Sequence, residues 1–252
     1  MHWRSERMLQ KTKQGFYQLI ELNNLGLKHG FSTVSMGDMR SNDHVDCDNL
    51  KNFVYQIDSQ YQAVVGMEQV HGTNVELVGI SNRNSLQNRT DGLITMEKGL
   101  FLNIKTADCL PVIFFDKYKQ IVGAAHAGYK GIYANISRFV INKMLRLGSD
   151  PAKINVAIGP SIRECCYFIT EERANMFKQQ YPPSIGYLTY KQGKPFLSLQ
   201  NLLKWQLITA GVPQENIFDA MMCTQDHSSE FFSFRAKNKD DKNLRFATIV
   251  GL

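Results

Sequence analysis

The sequence predicts an α+β sandwich, with helices lying outside paired β-sheets. Two observations carry this reading. Many short segments rich in Val, Ile and Phe are bounded by Gly, Asn or Asp, and only a few stretches show helical periodicity. A third observation sets the scale: the 252 residues contain no internal repeat, low-complexity tract or Pro/Gly/Ser linker, so one domain over 1–252 is expected. Residues 1–14 are basic and polar and form a candidate flexible N-terminus.

The expected strands, in order, are GFYQLIEL (15–22), AVVGMEQVHG (63–72), NVELVG (74–79) and DGLITM (91–96). FLNIKTADCLPVIFFD (101–116), QIVGAAHAG (120–128), KINVAIGP (153–160), EFFSFR (230–235) and LRFATIVGL (244–252) complete the set. A helix is expected over Tyr133 to Leu147, with apolar Ile136, Phe139, Val140 and Leu147 and a terminating Gly148. Further helices are expected over Glu171 to Gln180, over Ser198 to Ala210 behind a serine cap, and over Asn49 to Ile57.

Composition excludes several classes. A chain that is 43% hydrophobic and 21% charged is ordinary globular protein. No run of about 18 apolar residues is present, so no membrane partner is expected. The N-terminus lacks the apolar stretch of a secretory signal. Five cysteines, two of them adjacent at 165–166, argue against a disulfide framework and for a reduced, cytoplasmic protein. The net charge of +6 lies in loose groups (Arg4, Arg7, Lys11 and Lys13, then 235–245) without interleaved aromatics. No nucleic-acid partner is therefore expected, and attraction of small anions is the charge's secondary use.

Three segments each hold a soft-metal ligand: EQVHG at His71, TADCLPV at Cys109 and AAHAGYKG at His126. Singly, each has a plain structural reading. His71 at a strand end can be a core histidine, and Cys109 a small buried hydrophobe. Yet Asp108 and Pro111 do not belong in an uninterrupted central strand, so the chain is expected to turn there. His126 ends a small-residue run that permits close backbone approach. Two imidazoles and a thiolate leave one position open on a tetrahedral ion, as catalytic zinc sites do. The long gaps between them fit no zinc finger or ribbon, so spacing alone leaves the metal and core readings both open. The same donors also form the equatorial set of a blue-copper centre, with an axial Met. Only His2, His29, His44 and His227 remain, with no HxH pair, which leaves too few imidazoles for a laccase trinuclear cluster.

These segments, with HGFST (29–33), TDGLIT (90–95), IGPSI…CCY (158–167) and CT…FFSFR (223–235), resemble the laccase-domain family. That family, also called multicopper polyphenol oxidoreductases, comprises purine nucleoside phosphorylases. The resemblance implies one zinc held by His71, Cys109 and His126, copper being the alternative. It also implies a four-layer sandwich of paired mixed sheets flanked by helices, similar to putative cysteine hydrolases. The implied activities are phosphorolysis of adenosine, inosine, guanosine and methylthioadenosine, with adenosine deamination. Three positions depart from the pattern: Val34 stands where arginine follows FST, AGYKG replaces AGWRG at Tyr129 and Lys130, and Ala236 replaces a second arginine. An ammonium keeps the charge of a guanidinium but loses its fork.

Deamination at purine C6 needs an activated water, and the HxE and PCxxC signatures of dedicated deaminases are absent. Phosphorolysis passes through an oxocarbenium-like transition state and needs a cationic phosphate cradle and a proton donor to the departing base. Cradle or substrate candidates are Ser32, Thr33, Gln69, Lys130, Arg235 and Arg245, with Lys130 expected just before a helix start. Gln69, two residues before His71, would share its face in a regular strand and is also a candidate partner for a metal-bound imidazole. Asp91, Asp108 and Glu68 are candidate donors or orienters, against plain readings of a TDG turn for Asp91 and a solvated edge for Glu68. Cys165 and Cys166 read best as core packing, Thr224 as pocket support and His227 as an exposed loop residue. The expected partners are purine nucleosides and phosphate, for a monomer or homodimer. A cysteine hydrolase of peptide or peptidoglycan precursors, with Cys109 as nucleophile and His126 as base, and a copper-dependent polyphenol oxidase are the alternatives.

Overall fold

The computed structural model describes residues 9–40, 47–236 and 243–252. His2, His44, Arg4 and Arg7 therefore lie outside the described residues. The chain begins with β1 (Leu9–Lys11), β2 (Tyr17–Leu19), α1 (Ile20–Asn24) and β3 (Lys28–Phe31). It continues through α2 (Asp48–Ile57), β4 (Ala63–Met67), β5 (Val75–Leu77), β6 (Leu86–Gln87) and β7 (Gly92–Thr95). Next come β8 (Leu100–Thr106), β9 (Leu110–Asp116), β10 (Ile121–Ala127), α3 (Tyr129–Tyr133) and α4 (Ile136–Arg146). The last elements are β11 (Ile154–Ile158), α5 (Glu171–Gln180), β12 (Leu188–Lys191), β13 (Lys194–Leu197), α6 (Leu199–Thr209), β14 (Ile217–Asp219) and β15 (Phe246–Gly251).

Two mixed sheets form the frame. One runs β1-β2-β3-β15-β8-β4-β6, with β4 parallel to both of its neighbours and the rest antiparallel. The other runs β14-β11-β9-β10-β7-β5, with parallel pairs only at its two edges. Strands β8, β9 and β10 are buried almost throughout and accordingly read as apolar runs. Leu102 and Ile104 of one sheet pack with Ile113, Phe115 and Val122 of the other in a shared core. On the far side of the six-stranded sheet, Phe114 and Val156 pack with α4 and α6 through Val140, Met144, Leu203 and Leu207. On the far side of the seven-stranded sheet, Phe101 and Ile249 pack with Leu50, Phe53 and Val54 of α2. Among the described residues the chain is thus a mixed α/β structure in which two mixed sheets and the antiparallel pair β12–β13 carry six α-helices, in keeping with the α+β reading.

Local departures have local causes. GFYQLIEL is a strand only to Leu19; it then turns into α1, whose Leu22 is fully buried. The expected single strand over 101–116 is two strands, broken at 107–109. EFFSFR forms no strand: Phe231 and Ala236 donate their N–H groups to His227 and Ser233 within turns. The helix expected from Tyr133 begins at Ile136, because Asn135 adopts φ 60 and caps the Arg138 N–H at 3.2 Å. Lys130 lies inside α3 rather than ahead of a helix. Ser198 caps α6 by accepting from the Asn201 N–H at 3.3 Å, as its sequence suggested.

His29 is a structural histidine. It is fully buried, donates from Nδ1 to the Leu27 carbonyl at 3.0 Å and accepts the Leu19 N–H at Nε2 at 2.8 Å. Burial pushes its pKa down to about 4 against the backbone bond to Leu27. The unfolded chain, with its histidine near pH 6.5, binds the proton first, so stability is full above 6.5 and falls as pH drops toward 4. Urea unfolding between pH 7 and pH 4 is expected to lose about 3 kcal/mol through this group. His29→Gln should be less stable at pH 7 and flatten that slope; an unchanged slope would remove His29 as its source.

Candidate metal centre

The site originates in the break between β8 and β9. These strands follow one another in sequence but belong to different sheets, so residues 107–109 carry the chain across. Asp108 makes the crossing at φ 94, a left-handed conformation that costs a non-glycine residue roughly 1–3 kcal/mol. Hydrogen bonds hold it there. Thr224 Oγ1 donates to Asp108 Oδ1 at 2.7 Å, and the Arg235 backbone N–H donates to Oδ2 at 2.8 Å. The Ile162 N–H binds the Asp108 carbonyl at 2.9 Å. The crossing leaves Cys109 half-buried at the start of β9. Pro111 stands opposite His126 on β10, near a strand start where its missing N–H is tolerated.

His71 and His126 are assembled on one carboxylate. β4 ends at Met67, and His71 adopts φ 61, so the chain curls over Asp91. The N–H groups of Val70, His71 and Gly72 donate to its carboxylate at 3.2, 3.0 and 2.6 Å. His126 Nδ1 lies 2.8 Å from Asp91 Oδ1, and the His126 backbone N–H donates to the Asp91 carbonyl at 2.8 Å. Burial pushes the Asp91 carboxyl up, but His126 and the backbone N–H groups outweigh it and hold it below the usual carboxylate range. With Nδ1 bound to Asp91, His126 Nε2 is the nitrogen that meets Cys109.

His71 Nε2 lies 3.7 Å from Cys109 Sγ, and the two imidazole centroids are 4.7 Å apart. The donor atoms of His71, Cys109 and His126 all fall within 4.8 Å of one another. Tetrahedral zinc, with N at about 2.1 Å and S at about 2.3 Å, sets nitrogen and sulfur roughly 3.6 Å apart, so this trio fits such an ion. Gly128 makes the approach possible: a Cβ there would meet His71 Cδ2 at 2.6 Å and Cys109 Sγ at 3.2 Å. Burial pushes the Cys109 thiol up, but the charge and hydrogen bond of His126, helped by His71, bring it down to about 6. Burial pushes His126 down; the Cys109 thiolate and Asp91 reverse this and raise it to about 9. The sulfur is thus poised as a thiolate, the form that binds metals and attacks electrophiles.

The other sequence candidates fall into two groups. Arg235 and Arg245 lie beside the site. The Arg235 guanidinium sits 5.3 Å from the Tyr167 ring centroid and 5.0 Å from that of Phe168. Arg245 is held below its ordinary pKa by burial and by Arg40, and is near enough to Cys109 and Asp108 to be drawn back up by them. The remaining candidates are bonded to backbone or point into solvent. Ser32 Oγ accepts the Ala247 N–H at 2.9 Å, and Thr33 donates to the Gly15 carbonyl at 2.9 Å. Gln69 clamps both backbone groups of Lys105, at 2.8 and 2.9 Å, because the strand is irregular beyond Met67. Lys130 is exposed, Val34 packs against the shared core, and Glu68, exposed as read, accepts the Arg89 N–H.

Cys165 is exposed and Cys166 is half-buried against the core of the six-stranded sheet, and each thiol donates to one oxygen of Asp226 at 2.9 Å. Thr224 supports the site through its hydroxyl, as expected, and His227 is exposed. Sequence reasoning passed over Asp226, Gly128 and Arg173, which stacks 4.0 Å from the Tyr129 ring centroid. Only Gly128, two residues after His126, and Asp226, three after Cys223, carried a spacing signal.

Asp91→Asn keeps the size of the side chain and removes the charge that orients His126. Zinc affinity, measured by competition with a chromophoric chelator, should fall about 10–100-fold. An unchanged affinity in a folded variant would separate Asp91 from metal binding.

The chain matches known proteins over most of its length. The family model for multi-copper polyphenol oxidoreductase laccase matches residues 26–252. Purine nucleoside phosphorylase YlmD of Bacillus subtilis is 30% identical over 253 residues, covering 91% of this chain and 90% of that protein. Adenosine deaminase RL5, from an unknown prokaryotic organism, is 27% identical over 218 residues, or 82% of this chain and 83% of that one. The crystal structure of YlmD from Geobacillus stearothermophilus superposes with a TM-score of 0.85 at 25% identity, over 98% of this chain and 99% of that one. This chain belongs to the multi-copper polyphenol oxidoreductase laccase family.

Proposed function

We propose that this protein is a cytoplasmic, zinc-dependent purine nucleoside phosphorylase acting on adenosine, inosine, guanosine and methylthioadenosine, with accompanying adenosine deaminase activity. The whole chain would act as one unit, as a monomer or homodimer. The observation that carries the reading is the convergence of His71, Cys109 and His126 within 4.8 Å, a three-ligand set of the catalytic kind. The names of the relatives, a phosphorylase and an adenosine deaminase, support the two activities. A three-ligand zinc supplies a Lewis acid and lowers the pKa of bound water to about 7.

In this reading the chain's own residues divide the remaining work. In phosphorolysis an oxygen of hydrogen phosphate bonds to C1′ of the ribose while the bond to the purine nitrogen breaks, and the base leaves with the proton that the hydrogen phosphate gives up. Arg235 and Arg245 are the cations of the phosphate cradle, with the exposed Lys130 a third. Asp91 orients His126 and cannot give a proton, because its carboxylate accepts four N–H groups. Asp108 likewise positions Thr224 and Arg235, both of its oxygens being engaged. Ser32, Thr33 and Gln69 shape the surrounding backbone.

One observation favours a second reading. His126, oriented by Asp91 at 2.8 Å, stands beside the Cys109 thiol in the order orienter, base and nucleophile. This arrangement would suit a metal-free cysteine hydrolase of peptide or peptidoglycan precursors, the class whose fold the family resemblance implies.

Purified, metal-assayed protein incubated with adenosine separates these readings. Adenine and ribose 1-phosphate, formed only with phosphate, are expected, together with inosine formed without it. Zinc-loaded protein yielding neither product would contradict the proposal. A blue thiolate-to-copper band with phenol turnover would instead mark the oxidase. Cys109→Ala should lose this zinc and both activities; full zinc and full turnover in that variant would refute the shared site.

A further inference from the structure

A second group of ligand-type side chains lies outside this trio. The Sγ atoms of Cys165, Cys166 and Cys223 and a carboxylate oxygen of Asp226 all fall within 4.8 Å of one another. We propose that Cys165, Cys166, Cys223 and Asp226 form a second, closed site for a zinc-class cation, pinning the loop that carries Thr224 to the segment that follows β11.

Adjacent residues in extended backbone point to opposite faces, so Cys165 and Cys166 would diverge in a strand. Here the N–H groups of Cys166 and Tyr167 both donate to the Arg163 carbonyl, at 2.9 and 2.8 Å. That turn brings both thiols onto Asp226, at 2.9 Å each. Thiols are weak donors, so hydrogen bonding alone gives little reason to aim two of them at one exposed carboxylate. A shared cation gives a stronger one.

The spacing of one pair agrees. Cys223 and Asp226 are separated by two residues, as in the ligand pairs of structural zinc sites, and Cys165–Cys166 supply the opposing pair. The two pairs are already held in register. Ser161 and Cys223 form a parallel bridge, with the Ser161 N–H on the Met222 carbonyl and the Thr224 N–H on the Ser161 carbonyl, each at 3.2 Å. Four protein ligands leave no open position, so the site is structural. Three sulfurs select a thiophilic ion over magnesium or calcium. Cys165 and Asp226 are exposed, which gives the ion a way in.

The consequence reaches the first site through one residue. Thr224 follows Cys223 and donates to Asp108, which precedes Cys109. A cation on the four ligands therefore fixes the hydroxyl that holds the strained crossing.

The test is metal stoichiometry of the full chain, reduced and handled anaerobically, loaded with zinc and washed, with cobalt(II) as the spectroscopic probe. Two zinc per chain are expected in wild type. One is expected in Cys109→Ala and one in the Cys165→Ser/Cys166→Ser double variant. Cobalt in Cys109→Ala should keep intense sulfur-to-metal charge transfer, which the double variant should largely lose. If the double variant does not fold, Asp226→Asn tests the same site on an exposed residue and should weaken one of the two zincs at least tenfold. One zinc in wild type and none in Cys109→Ala would overturn the proposal. So would two zincs retained in the double variant or with unchanged affinity in Asp226→Asn, or cysteines found as a disulfide in the reduced, zinc-treated protein.

Discussion

The candidate site depends first on the buried carboxylate of Asp91. A charged oxygen pair taken out of water is costly unless hydrogen bonds replace its hydration. Here the replacement comes from three successive backbone N–H groups at 70–72 and from His126 Nδ1. Satisfying one anion therefore folds the end of β4 into a curl and fixes the ring of His126. His71 reaches the site because its own backbone N–H belongs to that set. The tautomer of one imidazole and the backbone position of the other share a single electrostatic cause.

The second constraint is the crossing between sheets. Cys109 would be an inert core thiol if β8 and β9 were one strand. The left-handed Asp108 interrupts them, and its carboxylate ties the crossing to Thr224 and Arg235. The loop over 220–236 is thus joined to the site at two points, and Arg235 is carried toward it by its own backbone bond. A candidate anion-binding residue and the metal-ligand thiol are positioned by the same aspartate.

Much of the architecture was legible. The apolar runs at β8, β9, β10 and β15 announce buried strands, and α2, α5 and α6 fall within a residue of their sequence signals. Asp108 correctly marked a break, whereas Pro111 lies inside β9, paired with His126 near the strand start. What escaped was whatever depends on irregular backbone. Gln69 was aligned with His71 on the assumption of a regular strand, but the strand ends at Met67, and Gln69 turns to Lys105 instead. EFFSFR has the composition of a strand, yet Phe231 and Phe232 reach the shared core from turns. Asp91 was a candidate donor or orienter set against a turn residue, and its partners at 70–72 and 126 were too distant in sequence to be named. The shared contact of Cys165 and Cys166 escaped for the same reason: Asp226 lies 61 and 60 residues away.

The central claim is that the Asp91 framework presents His71, Cys109 and His126 to one ion with a position left open. Anomalous scattering at the zinc edge from crystals of the zinc-loaded protein tests it most directly. The account predicts a peak about 2.0–2.3 Å from Nε2 of both imidazoles and from Cys109 Sγ, with a non-protein fourth ligand. No peak there in zinc-saturated crystals, with Cys109 Sγ and His126 Nε2 still bonded to each other, would contradict it.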